Sequence, residues 1–401
     1  MHILQVYKDY FPILGGIENH LRMLSEGLVA RGHRVTVLTS GRTRHDEIYE
    51  IGGVRVIAAG RLATVASAPL SPALLTHAAR QRPDLVHLHM PDPTGDVALT
   101  LAGPRAPLVV SYHSDIVRQR HLLTLYAPLL RRTLRRAARI IAASPAYVRS
   151  SPFLAPLAGR CAVVPYGIDL ARFAHPDPAK IAAIRARYPG PLALFVGRLR
   201  YYKGVDQLVR AMALAPGRAL IIGADATVRR ADLEQLAQDL GVADRVHFLS
   251  VEDDAELPAY YHAADLLVLP SVERSEAFGI VQIEAQAAGL PVVATELGTG
   301  TSYVTLHGQT GIVVPPSDPQ ALGRAIRVIM ESETLARAFG AAGRRRAETE
   351  FSLSRMLDRV EAVYAEAPDK VSGGSVTVRS GGFSRLALTR LLRTLHTVKL
   401  F

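Results

Sequence analysis

Two series of short apolar runs, each alternating with amphipathic helical patterns, constrain the fold of this chain more than any other feature. Strand-like runs fall at 3–7, 34–39, 54–58, 84–89, 108–112, 139–143 and 162–165, with helical patterns between several of them, notably at 17–30 and 122–138. A turn-rich stretch follows, from Tyr166-Gly-Ile-Asp169 through Pro176, Pro178, Pro189 and Pro191. The alternation then restarts, with strands at 192–196, 219–222, 245–249, 266–269, 292–294 and 312–314. Helices are expected at 203–214, 229–240, 254–264, 279–288 and 318–330, then at 333–349 and 352–366. Short runs bounded by turns and separated by helices predict parallel sheets covered on both faces.

A chain of 401 residues is long enough for two such units. The expectation is an α/β protein of two Rossmann-like domains facing a cleft, 1–166 and 167–366, with the turn-rich stretch as hinge and a linker and basic tail at 367–401. Hydrophobic residues make up 49% and charged ones 21%, which fits a soluble protein with a sizeable core. The lone Cys161 excludes an intramolecular disulfide and points to a reducing compartment. Strand character begins at residue 3 with no secretory pattern before it, and the long uncharged stretch 62–79 is broken by Pro69 and Pro72. No transmembrane helix is therefore expected.

The net charge of +11 is unevenly placed. Seven arginines and no acid lie between Arg118 and Arg139, and four arginines with Lys399 and no acid lie beyond Val371. The rest of the chain sums to −1, so two segments carry the basicity and imply an anionic surface partner.

The densest chemistry lies in Ser275-Glu-Ala-Phe-Gly-Ile-Val-Gln-Ile-Glu284, between the strand patterns at 266–269 and 292–294. Glu276 precedes a helix start and Glu284 lies about a turn inside it, while the N–H groups of Phe278, Gly279 and Ile280 face out of the helix end. Carboxylates can hold sugar or ribose hydroxyls, and a helix N-terminus can hold a diphosphate. In open α/β sheets ligands bind at the carboxyl ends of strands. Two solvated acids on an amphipathic helix fit the bare spacing equally well.

Gly15 and Gly16 follow the first strand and open a helix, so backbone can approach a ligand there, or a turn can need positive φ. The pattern is not GxGxxG, which argues against a nicotinamide or flavin site. Arg198 and Lys203 flank a strand-to-helix turn, where two cations can neutralise a diphosphate; an ordinary solvated pair is the alternative. His113 and Asp115 end a strand at the cleft edge, where they can hold a hydroxyl or supply a base, or be merely hydrogen-bonded. His87 and His89 alternate on one strand, but the sequence shows no third ligand, so both are read as structural. Glu252-Asp-Asp254 reads as a cap.

Together these pieces resemble the retaining glycosyltransferases of family 4, which have the two-domain GT-B fold. The likeness runs to about residue 366 and includes Gly15-Gly16, the His113 strand end, Val163-Val-Pro-Tyr-Gly-Ile-Asp169, Phe195-Val-Gly-Arg-Leu199 with Lys203-Gly204, and the Glu276/Glu284 run. Ser111-Tyr-His-Ser-Asp-Ile-Val117 and Ser271-Val-Glu-Arg-Ser-Glu-Ala-Phe-Gly279 are most similar to bacterial mannosyltransferases of O-antigen and exopolysaccharide assembly. The resemblance implies an N-terminal acceptor domain, a C-terminal donor domain, and a last helix, 352–366, packing back on the first domain. It implies that Arg198, Lys203 and Gly16 bind the donor diphosphate, that Glu276 holds the sugar and Glu284 the ribose, and that Phe278, Gly279 and Ile280 give backbone contacts. His113 would lie beside the transferred sugar, and the backbone near Val251 would meet the base. The implied donor is a nucleoside-diphosphate hexose, GDP-mannose first, with no metal cofactor and with these residues stabilising the transition state.

Residues beyond 371 lie outside the resemblance. Leu388, Leu391, Leu392 and Leu395 share one helical face, which predicts a membrane-surface helix or one packed on the body. The combined expectation is a cytoplasmic enzyme, peripheral on an anionic membrane, that extends a lipid-linked glycan. Alternatives on the same fold are a rhamnosyl- or N-acetylhexosaminyltransferase, a sugar phosphorylase or a nucleotide-sugar epimerase. A non-enzymatic binder of anionic surfaces is a further alternative. Nucleic acid is disfavoured, because there is no Trp and no pattern of stacking aromatics.

Overall fold

The structure, a computed structural model, describes residues 1–13, 15–65, 68–117, 120–175, 177–250 and 254–367. The first sheet has eight strands in the spatial order Cys161–Val163, Arg139–Ala142, Leu108–Tyr112, Leu85–Met90, His2–Val6, Arg34–Ser40, Val54–Ala59 and Glu47–Ile51. All neighbours pair in parallel except the last, where Glu47–Ile51 runs antiparallel to Val54–Ala59. The second sheet is wholly parallel, in the order Val246–Leu249, Arg218–Ile222, Leu192–Val196, Leu266–Leu269, Val292–Thr295 and Gly311–Val314. A short hairpin pairs Ala63–Val65 with Ala68–Leu70.

Burial on both faces explains why the strands read as continuous apolar runs. Along Leu192–Val196, Leu192, Leu194 and Val196 enter one core cluster while Ala193 and Phe195 enter the cluster on the opposite face. The edge strand Glu47–Ile51 carried no such signal, because it is half exposed and holds two glutamates, as edge strands do to discourage further pairing.

Three expectations need correction. The stretch read as hinge contains a helix, Pro178–Arg187. Pro178 starts it, and the Asp177 carboxylate caps it by accepting from the N–H groups of Ala179 at 2.9 Å and Lys180 at 3.3 Å. A proline at the first helical position is a start signal and not a break. The helix expected at 203–214 divides into a 3-10 turn, Tyr201–Lys203, and a helix, Val205–Ala211, because Gly204 is left-handed at φ 63°. The helix expected from 279 begins at Val281, because Gly279 has φ 79° and cannot join a right-handed helix.

The chain passes between the two sheets twice, and the passages are tied together. Ile168 N–H donates to the Phe351 carbonyl at 2.9 Å, and Leu353 N–H donates to the Ile168 carbonyl at 2.9 Å. After the second passage the helix Leu353–Glu366 lies on the first sheet's layer. Met356, Leu357, Val360, Val363 and Tyr364 join Ile3, Leu21, Leu24 and Val109 in one core. Each such buried side chain contributes roughly 1.5–3 kcal/mol relative to exposure. No helix among the described residues is long and apolar enough to cross a membrane.

Candidate active site

Two loops at the carboxyl ends of the second sheet's strands build the centre of the site. The loop after Leu192–Val196 carries Arg198 and Lys203, and the loop after Leu266–Leu269 carries Ser271, Arg274 and Glu276. They lie side by side, with Val272 N–H donating to the Tyr202 carbonyl at 2.8 Å. A Cβ on Gly204 would stand 2.1 Å from the Pro270 carbonyl oxygen, so only glycine lets the loops approach this closely.

That approach sets Lys203 Nζ 2.5 Å from Glu276 Oε2. Ser271 Oγ donates to the same oxygen at 3.2 Å, and Glu276 is only 7% exposed. Burial alone would lower the Lys203 pKa, but the adjacent Glu276 carboxylate outweighs it and holds the ammonium above its ordinary value. The result is a buried ion pair at neutral pH. The rest of the loop is stapled: Thr299 Oγ1 donates to the Glu276 carbonyl at 2.8 Å and Gly300 N–H to the Ala277 carbonyl at 2.7 Å. The N–H groups of Phe278, Gly279 and Ile280 find no acceptor among the described residues. Glu284, in the helix Val281–Ala287, accepts from Tyr261 Oη at 2.5 Å.

Arg198 is exposed and forms no ion pair among the described residues. It meets the first domain at Gly15, where an added Cβ would lie 3.3 Å from Arg198 Nη2 and 2.1 Å from Glu18 Oε2. Around Gly16 there is open space. The structure thus brings the Gly15-Gly16 turn to Arg198 and Lys203 to Glu276. Val251 and the Glu252-Asp253 part of the acid cluster lie outside the described residues, as does the tail.

Asp115 is occupied. Its Oδ1 accepts from Tyr112 Oη at 2.9 Å and Ser151 Oγ at 2.7 Å, and Oδ2 accepts from Arg274 Nη2 at 3.2 Å. Arg274 also donates to the Gly298 carbonyl at 3.3 Å, which accepts from Ser150 Oγ at 2.6 Å. Its guanidinium lies 5.5 Å from the centre of the Tyr147 ring, and Tyr147 Oη accepts from Asp115 N–H at 2.6 Å. Asp115 therefore works in a latch between the domains, and Arg274, which sequence reading did not assign, is its partner.

His113 is 5% exposed with both ring nitrogens engaged, Nδ1 with Tyr166 Oη at 2.6 Å and Nε2 with His89 Nδ1 at 2.8 Å. Tyr166 meets Phe278 edge-on at 5.0 Å, which joins His113 to the Glu276 loop through one ring. His20 lies against both, 4.6 Å from Tyr166 and 5.4 Å from His113 by ring centroids. The sequence showed no third ligand beside His87 and His89. In space His20 and His113 join His89, with ring nitrogens within 4.8 Å of one another, close enough to be considered for a metal. Burial lowers His20 and His87 to about 3, and burial first, then neighbouring imidazoles, holds His89 and His113 well below the ordinary value. All four rings are neutral at pH 7.

Residues 14–172 match the family model described as Glycosyltransferase Family 4, and residues 178–346 match the model described as Glycosyl transferases group 1. The chain is 37% identical over 343 residues to the D-rhamnosyltransferase WbpZ of Pseudomonas aeruginosa, spanning 85% of this chain and 89% of that one. It is 34% identical over 367 residues to the O-antigen chain mannosyltransferase C of Escherichia coli, spanning 91% and 98%. Among solved structures, sucrose-phosphate synthase from Thermosynechococcus elongatus matches with a TM-score of 0.77 at 25% identity, over 91% of this chain and 98% of that one. HepE from Anabaena, solved in complex with UDP, has the same fold with a TM-score of 0.74 at 21% identity, over 91% and 100%. One parallel and one mainly parallel sheet, a cationic turn facing a glycine turn across the cleft, and likeness along nearly all of the described chain agree: this chain is a glycosyltransferase that belongs to family 4 and has the GT-B fold.

Proposed function

We propose that this chain is a retaining mannosyltransferase that takes GDP-mannose and extends a lipid-linked glycan of a cell-surface polysaccharide. The observation that carries the donor site is Arg198, exposed and without an ion pair among the described residues, opposite Gly15 and beside the buried Lys203–Glu276 pair. A departing diphosphate needs cations placed where its charge develops, and Arg198 with Lys203 supplies them. Glu276 then holds the sugar as positive charge grows at its anomeric carbon, with Glu284 on the ribose. Likeness to O-antigen chain mannosyltransferase C favours mannose. Likeness to a D-rhamnosyltransferase favours a deoxyhexose donor as the second reading.

Support for a membrane-borne acceptor comes from the helix Arg120–Arg136, where Leu122 and Leu125 are exposed and Arg131, Arg132, Arg135 and Arg136 face solvent. Apolar groups with arginines and no acid suit an anionic lipid surface. Thermal shift against GDP, UDP, ADP, TDP and their sugars tests the donor. A ligand at a hundredfold its dissociation constant adds roughly 2.7 kcal/mol. Selective stabilisation by GDP and GDP-mannose is expected. Selectivity for another nucleotide removes mannose, and no shift with any of them overturns the reading.

A further inference from the structure

Beneath the cleft, seven polar groups form one unbroken hydrogen-bond chain across the first sheet. Its direction follows from Gln5, whose amide oxygen can only accept. Gln5 Oε1 lies 2.7 Å from His89 Nε2, so that nitrogen carries the hydrogen. In a neutral ring His89 Nδ1 is then bare and accepts from His113 Nε2–H at 2.8 Å. His113 Nδ1 is bare in turn and accepts from Tyr166 Oη–H at 2.6 Å. On the other side Gln5 Nε2 donates to Tyr364 Oη at 3.3 Å, Tyr364 gives its own hydrogen to His87 Nδ1 at 2.7 Å, and His87 Nε2–H donates to Ser111 Oγ at 2.8 Å. With the Gln5 amide in this orientation, every ring takes the Nε2–H form. Turning the Gln5 amide over would reverse all six bonds and convert all three rings to Nδ1–H, since hydroxyls and imidazoles can serve in either sense.

We propose that Gln5 and Tyr364 are positioning residues for sugar transfer. They lock His113 as its neutral Nε2–H tautomer and hold Tyr166 against the Glu276 loop, so that the helix Leu353–Glu366 governs the floor of the sugar subsite. The inference rests on the reading above in that His113 is taken to line that subsite. The network joins residues 359 positions apart in sequence, since Gln5 lies in the strand His2–Val6 and Tyr364 in the helix Leu353–Glu366. It also engages both ring nitrogens of His89 and of His113, which a metal held with His20 would have to take from these bonds.

The test is two-bond proton–nitrogen NMR on full-length protein labelled with 15N-histidine, with kinetics on Tyr364→Phe and, as a packing control in the same helix, Val363→Ala. The expected result is Nε2–H at His87, His89 and His113. Tyr364→Phe should mix the His113 tautomers and lower kcat by about tenfold to a hundredfold, with little change in KM for the donor. Val363→Ala should lose stability but keep its kcat. Nδ1–H at any of the three rings, an unchanged kcat in folded Tyr364→Phe, or d–d absorption on titrating cobalt(II) would each overturn the proposal. A wild type with the three Nε2–H rings but no transfer of any sugar sinks the transferase reading and leaves the tautomer assignment supported, because the NMR needs no substrate.

Discussion

Glu276 and Lys203 share one buried contact, and neither can be changed without leaving the other buried and short of its charge partner. Glu276→Gln keeps the shape and removes the charge, so the Lys203 ammonium loses the partner that offsets its burial. Two effects are expected: a loss of transfer of about a hundredfold or more, and a stability loss of about 3–5 kcal/mol from the stranded charge. Steady-state kinetics and urea unfolding read them separately, and near-normal kcat in a folded variant would remove Glu276 from the mechanism. Asp92 carries a different charge problem. It is 1% exposed, and burial raises its pKa to about 7 although Gly95 N–H donates to it. With the folded value above the unfolded one, its contribution is fully present below about pH 4 and is lost as pH rises through about 7. Asp92 caps the helix Pro93–Ala102, and Asp92→Asn keeps the oxygen that accepts from Gly95, so it should gain about 1–3 kcal/mol on wild type at pH 8, and almost nothing at pH 4. An equal gain at both pH values would contradict this. The cationic turn and the glutamate run were legible in the sequence because each sits within one strand–loop–helix unit. Arg274, Tyr166 and Gln5 were not, because their partners lie 159, 53 and 359 residues away and no local pattern marks such pairs. The signal that existed for Gln5 was a lone amide inside the apolar run Ile3-Leu-Gln-Val6.

At the level of elements, two glycines at the cleft answer to different forces. Gly204 is left-handed and pressed against the Pro270 carbonyl, so Gly204→Ala should cost at least about 1–3 kcal/mol in chemical denaturation. Gly16 opens a helix into free space, so Gly16→Ala should leave stability within about 0.5 kcal/mol of wild type while weakening nucleotide binding. A stable Gly204→Ala or an unfolded Gly16→Ala would reverse those assignments. The parallel strands were legible almost to the residue, because burial on both faces writes an uninterrupted apolar run. Elements with one wet face left no such run. The helix Pro178–Arg187 buries no residue, so its prolines read as a hinge, and the half-exposed edge strand Glu47–Ile51 carries no pattern that assigns it.

Over the whole molecule, the Asp115–Arg274 latch and the tied double passage at Ile168 and Leu353 set how the two sheets face each other. A double-mutant cycle on Asp115→Asn and Arg274→Gln should show a coupling of about 0.5–3 kcal/mol in transition-state stabilisation, and each single variant should scatter X-rays as a more open particle. Strict additivity with unchanged scattering would reduce the pair to a surface contact. The helix Leu353–Glu366 has a consequence for how the protein is made. It completes the core that holds Ile3, Leu21 and Val109, yet it is translated after the whole second sheet. While the ribosome works through the intervening residues, that apolar face and the buried amide of Gln5 stay wet. The half synthesised first is therefore finished last, and a message cut short before codon 353 yields a chain bearing a sticky, unsealed flank for chaperones and proteases to find.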